Sequence, residues 1–214
     1  MQIPKTIQNK LDEGRQYRGI DVAALDLRAT ENDEMIVEGY ATTFNEPYLL
    51  YRVEGYEVWE QIDPAAFTET DMSDVIMQYD HKGRVFARMS NETLSLNTDE
   101  HGLHIRANLG GTELGRQLYE EIAGGYTDKM SFGFKVAEDR QDVLVEEGLT
   151  SVLRTITKIS KLYDVSAVSL PANDATSISA RTYGEGVIAE VKQELLKREE
   201  LERKKKQLRL LCEL

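Results

Sequence analysis

The stretch Y126-T-D-K-M-S-F-G-F-K-V-A-E-D139 decides how this chain is read. With a side-chain period of two, Met130, Phe132, Phe134 and Val136 fall on one face of a strand, while Ser131, Gly133 and Lys135 fall on the other. The apolar face belongs to a core. A serine next to a glycine on the opposite face has two readings. It is either a solvated outer face, or a nucleophile held on rigid backbone with a bare neighbour that lets a substrate approach.

Upstream, TELGRQLYEEIAGG places Leu114, Leu118 and Ile122 at i, i+4 and i+8, with Thr112 as N-cap and Gly124 or Gly125 as the stop, which predicts one amphipathic helix. Earlier still, ETLSLNTDEHGLHIRANL alternates Leu94, Leu96, Leu103 and Ile105 around an Asp-Glu-His-Gly turn. DVIMQYDHKGRVFARM is a strand pattern broken at Asp80–Gly83, and YLLYRVEGYEVWEQI fits a hairpin. ALDLRATENDEMIVEGYATTFNE predicts two strands around a polar turn at Glu31–Asp33. In IDPAAFTET, Asp63 as N-cap with Pro64 at the first helical position predicts a short helix. Downstream, a charged loop leads into TSVLRTITKISKLYDVSAVSLPAN, a long β-rich run ended by Pro171.

These elements make an α+β chain dominated by antiparallel strands. Residues 1–24 are polar and weakly patterned and are expected to form a flexible arm. Residues 25–181 are expected to form the folded domain. Residues 182–214, rich in Glu, Lys, Arg and Leu, predict a charged C-terminal helix whose apolar stripe is interrupted by Arg198 and Lys205.

Composition narrows the function. Against 26 Lys and Arg stand 38 Asp and Glu, a net charge of −12, which argues against a nucleic-acid surface or an anionic membrane as partner. No run approaches the roughly 20 apolar residues of a membrane-spanning helix, and the first residues lack the apolar core of a signal peptide. The single cysteine, Cys212, cannot form an internal disulfide, which suits a reducing cytoplasm.

Chemistry has few carriers. The histidines are His81, His101 and His104. Their spacing fits no HExxH helix and no cysteine pair exists, so neither a metal nor another cofactor is expected. LGGTELG precedes a helix but lacks the lysine and hydroxyl of a phosphate-binding loop. His81, where a strand gives way to a polar loop, is placed to reach a cleft. A serine hydroxyl needs a base to take its proton, and the base works best when a third group fixes its tautomer. Ser131 and His81 can supply the first two. Asp164, which opens the apolar run DVSAV, has the best local context for the third, although a strand-end acid held by an amide or a lysine is the simpler reading of that residue.

Four blocks, IVEGYATTFNE, EQIDPAAF, QYDHKG and KMSFGFKV, followed by LYDVSAVSLPAN, resemble the prohead maturation proteases of tailed bacteriophages over about residues 35–173. That family in turn resembles the herpesvirus capsid maturation protease. The resemblance implies a serine protease on a small, mostly antiparallel β-barrel with flanking helices. It carries the family's catalytic histidine onto His81, its serine onto Ser131 and its acid onto Asp164, where most members have glutamate. His104 is the competing third member, since the herpesvirus enzymes use a second histidine. The turn after the Asp164 strand, with Ala172 and Asn173, and the bare Gly133 are the expected oxyanion and substrate groove.

The implied role is cleavage of scaffold and of the scaffold-like arm of the major capsid protein, then of the enzyme itself, inside the assembling procapsid in the host cytoplasm. Scaffold, capsid protein and further copies of the chain are the expected partners. A non-enzymatic scaffold or assembly chaperone is the alternative, because the acidic charge and helical tail suit it equally.

Overall fold

The computed structural model describes residues 15–19, 28–29, 35–146, 148–169 and 178–212. The strands are β1 (Gln16–Gly19), β2 (Arg28–Ala29), β3 (Ile36–Thr43), β4 (Tyr48–Val53), β5 (Tyr56–Ile62), β6 (Ile76–Tyr79), β7 (Lys82–Arg88), β8 (Leu94–Thr98), β9 (Gly102–Asn108), β10 (Lys129–Glu146) and β11 (Leu149–Val168). The helices are α1 (Glu113–Ala123) and α2 (Ile178–Cys212). The class is α+β with strands in the majority. The Glu31–Asp33 turn lies outside the described residues.

Two sheets form. One orders its strands β1-β10-β11-β5-β4, with β6 pairing β11 beyond β5 and β7 pairing β6; the other runs β2-β3-β9-β8. The long β10–β11 hairpin is the spine. β11 is paired in parallel by β5 along Thr150–Ile156 and by β6 along Asp164–Ala167. The remaining ladders are antiparallel, as a mostly antiparallel chain is expected to show, while the expected closed barrel is absent among the described residues. Because β11 receives both β5 and β6, their outer partners β4 and β7 lie at the sheet's margins, and among the described residues no ladder joins it to the four-stranded sheet.

Met130, Phe132 and Phe134 point into the main core, which they share with Val37, Ile105 and Leu118. Phe132 and Phe134 stack with ring centroids 4.4 Å apart. Burial of each such side chain contributes roughly 1.5–3 kcal/mol, which fixes the strand that carries Ser131. Thr112 caps α1 by accepting from the Gly115 amide at 3.0 Å. Asp63 also caps, accepting from the Ala65 amide at 2.8 Å, but the segment it opens is a run of turns closed by bonds such as Ala66 N to Asp63 O and Thr70 N to Phe67 O. The expected helix there is therefore replaced by turns.

Gln16–Gly19, within the expected flexible arm, pairs antiparallel with β10. The free edge of a core strand is a template that orders a segment too short and polar to announce itself. At the other end, α2 is not wholly separate from the domain. Val187, Ile188 and Val191 pack with Leu50, Tyr51, Val58 and Val152, and Gly184 lies so close to the Tyr51 ring that a Cβ would overlap it. Leu196 and Leu201, further along, are exposed.

Truncation after Arg181 is therefore expected to lower stability by about 1.5–3 kcal/mol for each apolar side chain removed from this cluster. Truncation after Leu196 is expected to leave the melting temperature within a few degrees. Equal melting temperatures for the two truncated proteins would contradict the docking.

Candidate active site

His81 and Asp80 form the two-residue loop of the β6–β7 hairpin, since Tyr79 pairs with Lys82 across it. Both have left-handed backbone, φ 48° at Asp80 and 55° at His81. Paired left-handed residues match the twist of a tight hairpin, and Asp and His tolerate this region better than most residues. The loop is pinned to the end of β11: the Asp80 amide donates to Ala167 O at 3.0 Å, and the Asp80 carboxylate accepts from the Ser169 amide at 2.9 Å. A strained turn held from two sides is a rigid mount for an imidazole.

Ser131 and Asp164 come from the paired strands β10 and β11, where Ser131 lies opposite Ser166 and Gly133 opposite Asp164. His81 lies between them. Its Nε2 is 2.6 Å from Ser131 Oγ and its Nδ1 is 2.6 Å from Asp164 Oδ1. Asp164 Oδ1 also accepts from Ser166 Oγ at 2.7 Å, and Asp164 Oδ2 accepts from the Arg15 guanidinium. Ser131, Asp164 and Ser166 are fully buried, whereas the His81 side chain is 13 % exposed. The reading of Ser131 as a solvated strand serine is therefore overturned.

The carboxylate requires a proton on Nδ1, which leaves Nε2 as an acceptor facing the serine hydroxyl. That hydroxyl is close to two acceptors, His81 Nε2 and the Arg18 carbonyl, to which it donates at 2.8 Å.

Burial pushes the His81 imidazole down to about 4, and the nearby Arg15 guanidinium acts in the same direction against a smaller opposing effect of Asp80. The ring is therefore neutral near pH 7, the state a general base needs. An NMR titration of the full chain is expected to place its midpoint well below 6.5, and Arg15→Ala to raise it. Between pH 6.5 and about 4 the unfolded chain binds a proton that the folded chain does not, so stability falls as pH drops through that window. A His81 midpoint at or above 6.5 would contradict this electrostatic picture.

Gly133 is the bare neighbour, and what it admits is the acid. A Cβ there would overlap the Asp164 carboxylate, and would come within 2.8 Å of Arg15 Nε and 3.0 Å of Tyr17 Cε1. Gly133→Ala is expected to displace Asp164, lower turnover at least tenfold and cost about 1–3 kcal/mol, as overpacking of a dense site does. Unchanged kinetics in that variant would separate Gly133 from the acid's placement.

His104 lies on β9 of the other sheet, against the Tyr40 ring at 5.2 Å. His81 Nδ1 is already taken by Asp164. His101 packs edge-on to the same tyrosine at 4.6 Å. Ala172 and Asn173 lie outside the described residues.

Sequence reasoning passed over three groups that border this site. Ser166 shares the Asp164 face at period two, a signal that was legible. Tyr17 lies 4.3 Å, centroid to centroid, from the His81 ring. Glu60 is fully buried and accepts from Arg18 Nε at 2.5 Å, Tyr48 Oη at 2.5 Å and Arg154 Nη1 at 2.7 Å. Burial alone would raise the Glu60 carboxyl, but Arg18 and Arg154 outweigh it and hold the group at about 2.

Residues 23–190 match the family model described as the caudovirus prohead serine protease. No curated protein and no solved structure matches the chain.

Proposed function

Because the chain belongs to the caudovirus prohead serine protease family, we propose that it is the maturation endopeptidase of its procapsid, with Ser131 as nucleophile, His81 as general base and Asp164 as orienting acid. The observation that supports this most is the continuous chain of 2.6 Å contacts from Asp164 Oδ1 through His81 to Ser131 Oγ.

In this reading Ser131 Oγ attacks the carbonyl carbon of a peptide bond as His81 Nε2 takes its proton. Asp164, on Nδ1, stabilises the imidazolium that forms. The tetrahedral intermediate collapses as His81 returns the proton to the leaving amine. Water, deprotonated by the same nitrogen, then releases the acyl group from Ser131. The oxyanion donors belong to the segment after β11, with Ala172 and Asn173.

The substrates are the scaffold and the scaffold-like arm of the major capsid protein, and finally the enzyme itself, within the procapsid in the host cell. Kinship in fold with the herpesvirus capsid maturation protease is part of the same proposal. The charged second half of α2 is the tether. By holding the enzyme among scaffold and capsid subunits it raises local substrate concentration, so modest intrinsic activity suffices.

Coexpression with the major capsid protein and scaffold of the same phage tests this reading. The capsid protein is expected to lose its arm with the wild-type chain and to stay full length with Ser131→Ala. Shells whose capsid protein is processed identically with either chain would contradict the assignment. Shells that need the chain yet are never processed would favour the assembly-chaperone reading.

A further inference from the structure

The free edge of β10 is occupied by the chain's own residues, and the occupant meets the reactive groups in order. β1 runs antiparallel to β10 with Gly19 opposite Ser131, Arg18 opposite Phe132 and Tyr17 opposite Gly133. The Arg18 carbonyl oxygen is 2.8 Å from Ser131 Oγ. Tyr17 lies on the His81 ring, and Arg15 binds the Asp164 oxygen that His81 does not use. Completing a sheet edge does not by itself require a carbonyl to sit on a serine hydroxyl that faces a base.

The side chain of Arg18 turns to the opposite face and fills a closed pocket. Its guanidinium donates from Nε to Glu60 Oε1 at 2.5 Å, from Nη2 to Glu60 Oε2 at 3.3 Å and from Nη2 to Gln16 Oε1 at 2.9 Å. Without Arg18 the pocket holds two carboxylates, Glu60 and Asp139, against one guanidinium, Arg154, which pairs with both. Asp139 sits at the rim, its side chain 27 % exposed, so the buried carboxylate of Glu60 shares its guanidinium with a second acid, and a buried carboxylate paired in this way favours a further cation. Arg18 supplies it with the forked geometry that a carboxylate favours.

On the serine protease reading above, we propose that the β10 edge and the Glu60 pocket form the substrate site, which takes an extended peptide with arginine at the residue whose carbonyl meets Ser131, and that the Arg18–Gly19 bond is the chain's own first substrate. The strand supplies main-chain register and the pocket supplies selectivity, as in other recognition modes that add a strand to a sheet edge.

The step balances as ordinary hydrolysis. Ser131 Oγ bonds to the Arg18 carbonyl carbon and its proton goes to His81. The Arg18–Gly19 C–N bond breaks and the Gly19 amine takes that proton. One water then frees Arg18 as a carboxylate and restores the serine. Cleavage separates residues 1–18 from the domain, so Arg15, Tyr17 and Arg18 can leave and the edge opens to a peptide in trans.

The test uses purified full-length protein, intact-mass measurement over time, and two probes: the peptide Gln-Tyr-Arg-Gly-Ile-Asp with its Arg→Ala analogue, and denatured β-casein as a general substrate. The wild-type chain is expected to convert to a species beginning at Gly19 and to cut the arginine peptide at least tenfold faster than the analogue. Arg18→Ala is expected to keep its N-terminus. Glu60→Gln is expected to narrow the arginine preference several-fold; Arg154 and Tyr48 remain to hold the amide.

Casein cleavage that depends on Ser131, with no cut after Arg18 or no arginine preference, overturns this proposal and leaves the protease reading standing. Processing or casein cleavage that persists in Ser131→Ala overturns the protease reading, and the proposal with it. A wild-type chain that cuts neither itself, the peptide nor casein also overturns both.

Discussion

Ser131→Ala protein is expected to remain folded and to lose peptide hydrolysis and self-processing by a factor on the order of 10⁶, the loss seen when the nucleophile of a comparable triad is removed. The size of the effect follows from the hydroxyl's place. Among the described residues it is the hydroxyl against His81 Nε2, whose other ring nitrogen is fixed by a carboxylate. Removing it leaves a base with nothing to deprotonate but water.

The variant does have a folding cost. Ser131 is fully buried and its hydroxyl donates to the Arg18 carbonyl. Alanine strands that acceptor and the imidazole nitrogen, a penalty of about 1–3 kcal/mol, or a few degrees per kcal/mol in melting temperature for a chain of this length. A melting temperature within about ten degrees of wild type, alongside activity lost to background, is the expected pair of results. Loss of both fold and activity would leave Ser131 as a packing residue.

Asp164→Asn is expected to lower turnover roughly 10⁴-fold at neutral pH with a smaller change in KM, as the equivalent change does in the serine protease precedent. The reason is a tautomer. Asp164 Oδ2 faces the Arg15 guanidinium and Oδ1 faces His81 Nδ1. An asparagine amide cannot point its NH₂ at a guanidinium, since donor would meet donor, so in the unprocessed variant, which keeps Arg15, the NH₂ turns toward His81. Nδ1 must then accept, the ring proton moves to Nε2, and the nitrogen that should receive the serine proton is already occupied. Asp164→Glu retains the charge and is expected to be milder, at the cost of one extra methylene in a site closed by Gly133. His104→Ala, on the other sheet against Tyr40, is the control and is expected to leave kcat within about twofold. Activity abolished by His104→Ala with Asp164→Asn nearly silent would reassign the third member.

The patterned segments offered each member of this site only as a candidate, and it was the resemblance of the blocks around them to the prohead proteases that joined the three. The alternation around Ser131 set its strand, the break at Asp80–Gly83 placed His81 on a loop, and the acid in DVSAV stood out against its apolar neighbours. Glu60 was legible and passed over: in YEVWEQI it shares the period-two face of Val58 and Ile62, an acid on a core face. β1 was not legible, since four residues, Gln-Tyr-Arg-Gly, carry no period of their own and are ordered by the edge they meet. The parallel pairing of β11 with β5 and β6 was hidden for a similar reason, because pairing direction is a property of two segments distant in sequence. The capping signal at Asp63 was read correctly as a cap and wrongly as a helix; a cap satisfies the first amides of a turn as well as those of a helix.

The central claim is that Ser131 is a hydroxyl activated by His81, and covalent trapping tests it most directly. The full-length protein, treated with a fluorophosphonate and mapped by peptide mass spectrometry, is expected to carry a single adduct on Ser131 that is lost in His81→Ala. Peptide hydrolysis that proceeds undiminished with Ser131 unlabelled, or an adduct on another serine that accompanies inactivation, would contradict it.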